Sequence, residues 1–148
     1  MMKIGKFKKE DSIQVSNMII KCLNEVNSND YPKTVINFMT KKFSPEEIEK
    51  LSQRRSIYVA SENRRIVGTV SVDKNAVFSL FVDTTKSRNG IGTRLMKKAE
   101  SIVKRNYRTI KVPSSITAYE FYRKLGYTKS REKYDKGYGK VIIMYKRL

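Results

Sequence analysis

The residues best suited to chemistry in this chain are two glycines. Gly90 and Gly92 stand in Ser87-Arg88-Asn89-Gly90-Ile91-Gly92, after the apolar run Val77–Val82 and before Ile91, Leu95, Ala99 and Ile102, which recur at helical spacing with Met96 and Val103 beside them. Strand, glycine turn and helix are predicted in that order. Glycine admits φ > 0 and lets a backbone approach a ligand closely. The amides from about Arg88 to Thr93 can therefore turn inward at a helix N-terminus and hold an anion. Two phosphate motifs are excluded: Leu95 stands where a dinucleotide fingerprint needs its third glycine, and no Gly-Lys-Ser/Thr follows for a P-loop. Taken alone, Gly-x-Gly is more simply read as an ordinary strand-to-helix turn.

Other chemistry is bounded by what the composition lacks. None of the 148 residues is histidine, which excludes histidine metal ligands, Ser-His-Asp triads and imidazole acid–base work. The one cysteine, Cys22, cannot form an internal disulfide and falls on the apolar face of a predicted helix, where it reads as a small core residue. By position alone Tyr122 is a packing aromatic, sharing a predicted helix with Ala118, Phe121 and Leu125. Ser115 or Thr117-x-x-Glu120 can cap that helix. Asp73 and Asp83 lie beside the central strand; each is either a proton acceptor or a turn cap. Arg94 reads as solvated. The central strand itself, Val-Phe-Ser-Leu-Phe-Val, carries no carboxylate.

The elements that must position these groups follow from the pattern of apolar residues. Lys3–Lys8 is a weakly patterned first strand. Asp11 and Ser12 offer caps for a helix in which Val15, Met18, Ile19, Cys22, Leu23 and Val26 share one face. Pro32 opens a second helix at its first position, with Val35, Ile36, Phe38 and Met39 on its apolar side. Phe43-Ser44-Pro45-Glu46-Glu47-Ile48 has the marks of a third helix start: Ser44 as cap, Pro45 first, Glu47 as reciprocal partner, and Phe43 able to meet Ile48. Ile57–Ala60 and Ile66–Asp73 form a hairpin around Ser61–Arg65, and Lys74-Asn75 turns into the central strand. Arg108–Val112 is the next strand, Pro113 and the serines introduce the helix through about Leu125, and Tyr127–Lys133 pairs with Val141–Lys146 around the loop Tyr134–Lys140. The order implies a mixed sheet, antiparallel at first and parallel across the helical crossover.

The glycine segment resembles the pyrophosphate loop of the GNAT N-acetyltransferase superfamily, Gln/Arg-x-x-Gly-x-Gly/Ala after a strand ending in valine. Ser87 stands in the Gln/Arg place, with Arg88 beside it to supply the charge. Downstream, Ser114–Tyr127 is similar to the second signature, Asn-x-x-Ala-x-x-Phe-Tyr-x-x-x-Gly-Phe: Ser115 takes the Asn place, Ala118, Phe121, Tyr122 and Gly126 match, and Tyr127 replaces Phe. The resemblance extends over most of the chain and is to single-domain prokaryotic members. It implies an α/β (α+β) fold with a mixed, mostly antiparallel sheet of six or seven strands and about four helices, in one domain over residues 1–148. It implies acetyl-CoA as co-substrate, no metal, and direct acetyl transfer to a primary amine of a small molecule or protein. The implied coenzyme contacts are Leu80, Phe81 and Val82 on the central strand, Arg88, Asn89, Gly90, Ile91, Gly92 and Thr93 in the turn, and Ser115, Ala118 and Tyr122. Tyr122 occupies the general-acid place, as proton donor or hydrogen-bond donor to the departing thiolate. Many relatives carry a strand glutamate as base; its absence here leaves the base unassigned.

The charge is uneven. Of 32 basic and 14 acidic residues, nine and seven precede residue 51, so the excess lies in the part that would carry a ligand with three phosphates. Nucleic-acid binding is a second reading of +18, but the basic residues are scattered rather than interleaved with aromatics. A coenzyme-binding module without turnover is the other alternative. The segments expected to wall the acceptor site, Asn27–Phe43 and Tyr134–Lys140, are near balance, which counts against a strongly acidic acceptor. No signal sequence or membrane span is evident, so a cytoplasmic protein is expected. Homodimers formed through the last strands are common in the family.

Overall fold

The computed structural model describes residues 1–86 and 89–148. Seven strands form one sheet in the order β1-β2-β3-β4-β5-β7-β6: β1 (Met2–Lys6), β2 (Ser56–Glu62), β3 (Arg65–Asp73), β4 (Ala76–Val82), β5 (Thr109–Ser114), β6 (Thr128–Asp135) and β7 (Gly139–Arg147). Helices α1 (Ser12–Glu25), α2 (Lys33–Lys42) and α3 (Pro45–Ser52) precede β2, α4 (Ile91–Val103) joins β4 to β5, and α5 (Tyr119–Lys124) precedes β6. The seven-stranded mixed sheet with five α-helices among the described residues is the α/β architecture expected. Side chains alternate across a strand, and β2 shows the result: Ile57 and Val59 pack under α1, α2 and α3, while Tyr58 and Ala60 join Ile91, Leu95, Met96 and Ala99 of α4. Covered on both faces, β3 is buried from Ile66 to Val72.

Local chemistry explains the boundaries. Ser44 caps α3 as expected, its hydroxyl accepting from the Glu47 amide at 3.2 Å with Pro45 at the first helical position. Asp11 does not cap α1; its carboxylate reaches back to the Lys8 amide at 2.8 Å. Pro32 is the N-cap of α2, one residue earlier than predicted. The polar stretch 61–65 narrows to Asn63-Arg64, both at positive φ (53° and 63°), the two-residue turn that suits strand twist. Likewise the last loop shrinks, since Tyr134, Asp135, Gly139 and Lys140 extend the β6–β7 ladder. Helix α5 is shorter than predicted because 115–118 form a turn in which the Ser115 hydroxyl accepts from the Ala118 amide at 3.1 Å. Thr117 caps nothing there; it donates to Asp30 at 2.8 Å.

What matters for function is where β4 and β5 part. The pair is parallel but registers only at Ala76 and Lys111, with the Lys111 amide donating to Asn75 at 2.9 Å. Amides alternate in direction along a strand, so Pro113, two residues on, turns its nitrogen toward β4 with no hydrogen to donate. On the other side β4 carries a bulge: Ser79 and Leu80 lie between the Phe78–Ser71 and Phe81–Thr69 pairs, opposite Val70 alone, and Ser79 takes φ 55°. A bulge bends its strand and re-aims side chains. The two strands leave a gap.

Candidate active site

The gap opens into a cleft of about 630 Å³. Its floor is β4 from Val77 to Val82; β5 and the following turn contribute Val112 to Ser115, α5 contributes Tyr122, and α1, α2, the α3–β2 loop and the β6–β7 turn close the far side. Among the described residues, nothing pairs with the β5-facing edge of β4 beyond Ala76, which leaves backbone donors and acceptors open to a ligand.

At the C-terminal end of β4 stands the N-terminus of α4. Gly90 is its N-cap at φ 75°, a left-handed conformation that glycine adopts without cost. The first helical bond runs from the Arg94 amide to the Gly90 carbonyl at 3.1 Å. No described residue takes up the amides of Ile91, Gly92 or Thr93, and no side chain caps the helix. These are the donors that an anion would meet. Gly92 has a second reason to be glycine: an added Cβ would lie 3.1 Å from Phe121 and 3.6 Å from Val82. Its missing side chain therefore serves packing between the two sequence signatures rather than approach of a ligand. The Ile91 side chain is buried in the core beneath, whereas Asn89 and Arg94 are exposed. Ser87 and Arg88 lie outside the described residues.

Tyr122 is 4 % exposed and wedged between Phe121 and Tyr127, ring centroids 5.3 and 5.7 Å away. Its hydroxyl has no hydrogen-bond partner among the described residues, and among these no fully buried side-chain oxygen or nitrogen lacks one, so the oxygen is not sealed off; the residue lines the cleft. Burial pushes this phenol well above its ordinary value, so it stays protonated and able to donate. Tyr127, where the signature has Phe, uses its extra oxygen to donate to Glu100 at 2.6 Å, and Lys146 meets the same carboxylate at 3.1 Å.

Leu80, Phe81, Val82, Ser115, Ala118 and Tyr122 are thus brought together around one cleft, and the start of α4 lies beside its edge, Gly92 against Val82. The two aspartates weighed as bases are not. Asp73 is exposed at the far end of β3, opposite Ala76. Asp83 is buried, which raises its pKa, but bonds at 3.0 and 2.9 Å from the amide and hydroxyl of Thr85, with Lys21 and Arg65 nearby, bring the net shift below the usual value. It caps a turn. Cys22 is a core residue as expected: its thiol donates to the Val82 carbonyl at 3.1 Å, and burial, with Asp83 and Glu25 adding to it, pushes it up to about 11.

The carboxylates that do line the cleft are Glu47 and Asp135. By sequence Glu47 is a capping partner and Asp135 falls in the last loop. Neither is free of other work: Glu47 faces Lys50 at 3.2 Å, and Asp135 accepts from the amides of Gly137 and Tyr138, both at 2.8 Å. Tyr31 lines the cleft as well. Its hydroxyl accepts from the Ile116 amide at 2.7 Å and donates to the Lys140 carbonyl at 2.9 Å, which ties three walls of the cleft together. No signal at fixed spacing marks such a residue. Among the described residues no group of histidine, cysteine or carboxylates can hold a metal ion, and no helix is long and apolar enough to cross a membrane.

Comparison with solved structures gives the same architecture. A GCN5-related N-acetyltransferase from Rhodopseudomonas palustris superposes with a TM-score of 0.91 at 18% identity, over 99% of this chain and 95% of that one. The PaiA N-acetyltransferase of Thermoplasma acidophilum, in complex with coenzyme A, gives 0.81 at 18% identity, over 100% and 99%. An aminoglycoside 6'-N-acetyltransferase complexed with coenzyme A gives 0.71 at 21% identity, over 98% and 96%. At such identities the likeness is one of fold. The family model of the acetyltransferase (GNAT) domain matches residues 22–148, from Cys22 on α1 through both signatures to the last strand. The chain belongs to the GNAT acetyltransferase family.

Proposed function

We propose that this acetyltransferase binds acetyl-CoA in the gap between β4 and β5 and transfers its acetyl group directly to a primary amine. The observation that carries the reading is the parting of the two strands after Ala76 and Lys111. It leaves a free strand edge at Leu80–Val82 to hydrogen-bond the acetyl carbonyl and pantetheine amides, in the manner of an added strand. The amides of Ile91, Gly92 and Thr93 then receive the pyrophosphate, with Asn89 and Gly90 shaping the turn and Arg88 supplying charge. Ser115 holds the turn that carries Ala118 and Tyr122 along the other side.

Acetyl-CoA supplies an activated carbonyl and a thiol leaving group. The new C–N bond forms as the C–S bond breaks, and the electron pair leaves with sulfur. Tyr122 donates its hydroxyl hydrogen bond to that sulfur. The phenol is held neutral by burial, so it suits a donor that stabilises the thiolate, with protonation completed there or by water. The amine arrives from the α1, α2 and α3 side. On that wall the carboxylate is Glu47; its 3.2 Å pair with Lys50 is solvent-exposed and engages one oxygen, and it receives the amine's proton through water. The whole of residues 1–148 acts as one domain, and the buried thiol of Cys22 agrees with a cytoplasmic setting.

A second reading, a coenzyme-binding module without turnover, is favoured by one observation: β4 carries no carboxylate. Calorimetric titration with acetyl-CoA tests both. Micromolar affinity is expected, and coenzyme A release in the presence of amines separates enzyme from module. Absence of binding at millimolar ligand would overturn the assignment of the cleft.

A further inference from the structure

The end of the cleft away from α4 is built from charge. Four of its lining residues, Lys42, Arg54, Arg55 and Lys133, are cationic, and none of them is in an ion pair among the described residues. A chain of +18 exposes cations over much of its surface, so sign alone carries little. Arg55 is different. Its guanidinium lies over the Phe78 ring, 4.1 Å from the centroid, on the floor of the cleft. A stacked guanidinium keeps its in-plane N–H donors free, and that fork matches a carboxylate or phosphate bidentately. The two carboxylates of the cleft are engaged elsewhere, Glu47 with Lys50 and Asp135 with its own loop; the carboxylate whose field reaches Arg55 is Asp73, outside the cleft lining, and it makes no ion pair with the guanidinium.

These cations do not belong to the pyrophosphate end. Phe78 precedes Val82 by four residues, up to about 13 Å along an extended strand, and α4 begins beyond Val82. Building on the acetyltransferase reading above, we propose that the amine acetylated here carries an acid group of its own, as an amino acid does, and that Arg55, ringed by Lys42, Arg54 and Lys133, receives that group. A polyamine or amino sugar would bring several positive charges to a wall already positive. The segments Asn27–Phe43 and Tyr134–Lys140 are near balance in charge, but Arg54, Arg55 and Lys133 come from outside them.

The test is initial-rate coenzyme A release with free L-amino acids, their carboxamides and spermidine as acceptors, beside calorimetry with acetyl-CoA. Free acids are expected to exceed their carboxamides in kcat/KM by about tenfold or more. In Arg55→Gln the acceptor KM should rise about 10- to 100-fold, the loss expected of a charge-assisted pair, and in Arg55→Lys by less, with acetyl-CoA affinity unchanged in both. Lys133→Gln, on an exposed stretch of β6, should raise the same KM in a protein whose core is untouched. A preference for carboxamides or spermidine overturns the proposal. So does an unchanged KM in the variants, or failure to acetylate any free acid by protein that binds acetyl-CoA. If acetyl-CoA itself does not bind, the earlier reading falls and takes this one with it.

Discussion

The two ends of the cleft are made of different materials. At the α4 end the groups proposed to meet the coenzyme are backbone: the amides of Ile91 to Thr93 and the open edge of β4. At the far end they are side chains from separate elements: Lys42 closing α2, Arg54 and Arg55 between α3 and β2, Lys133 on β6 and Tyr138 in the β6–β7 turn. Backbone donors stay put when side chains change, so the first end can serve a common coenzyme. The second can be rebuilt residue by residue for a particular amine, as loops on a rigid scaffold commonly are.

Breaking one end should leave the other intact, and the largest effect is expected at the backbone end. Gly90→Glu places a carboxylate where the pyrophosphate would sit and forces a side chain into φ 75°. Loss of two or three charge-assisted bonds corresponds to an affinity loss of about a thousandfold or more. Calorimetry reads it, and the fold should survive, because an added Cβ at Gly90 meets nothing within 4 Å. The same exchange at Gly92 would be uninformative, since it also strikes Phe121.

Next in size is Tyr122→Phe, which sits between the two ends. Loss of the donor should lower kcat about 100-fold while the KM for acetyl-CoA moves little, because the ring still packs on Phe121 and Tyr127. Its pKa is raised in the fold above the ordinary value of 10.0. A group with a raised folded value contributes its stability below the unfolded value and loses it as pH rises through the folded one. Two results follow. Tyr122 should impose no fall in kcat between pH 7 and 10, and wild type should lose stability above pH 10 more steeply than Tyr122→Phe in chemical denaturation. A kcat limb near neutrality that disappears in the variant would show the phenol to be ionising where burial should prevent it.

The smallest effect is expected at the seam of the acceptor end. Tyr31→Phe leaves the Ile116 amide and the Lys140 carbonyl without their shared partner, at a cost of about 1–2 kcal/mol. Urea denaturation should show that loss. The acceptor KM should rise severalfold as the walls loosen, and the affinity for acetyl-CoA should hold. An equal loss at both ends would show the cleft to be one cooperative unit rather than two.

Much of the frame was legible. The α1 face, the Ser44-Pro45 start of α3, the β4 run and the amphipathic α4 each followed from spacing and capping chemistry that act within a few residues. Misreadings arose where a group had a choice of partner. Asp11 is as good a cap as Ser44, but its carboxylate turned back to Lys8. Thr117 is as good a cap as Ser115, but Asp30, far away in sequence, took its hydroxyl. Pro113 has the marks of a helix prelude but stands within β5, its nitrogen turned toward the gap. The Ser79 bulge carries no signature, since serine has no preference for φ 55°.

By itself, then, the sequence determined which segments become helix and strand, that no histidine chemistry is available, and that a glycine turn with free amides precedes α4. Those properties depend on local periodicity, on residue type and on steric limits at single positions. The tertiary structure alone decided that Gly92 meets Phe121, that Asp83 caps a turn rather than facing the cleft, and that Arg55 lies across Phe78 among other unpaired cations. These are contacts between residues distant along the chain. Their partners are selected by how the sheet twists, bulges and parts, and no spacing in the sequence encodes that selection.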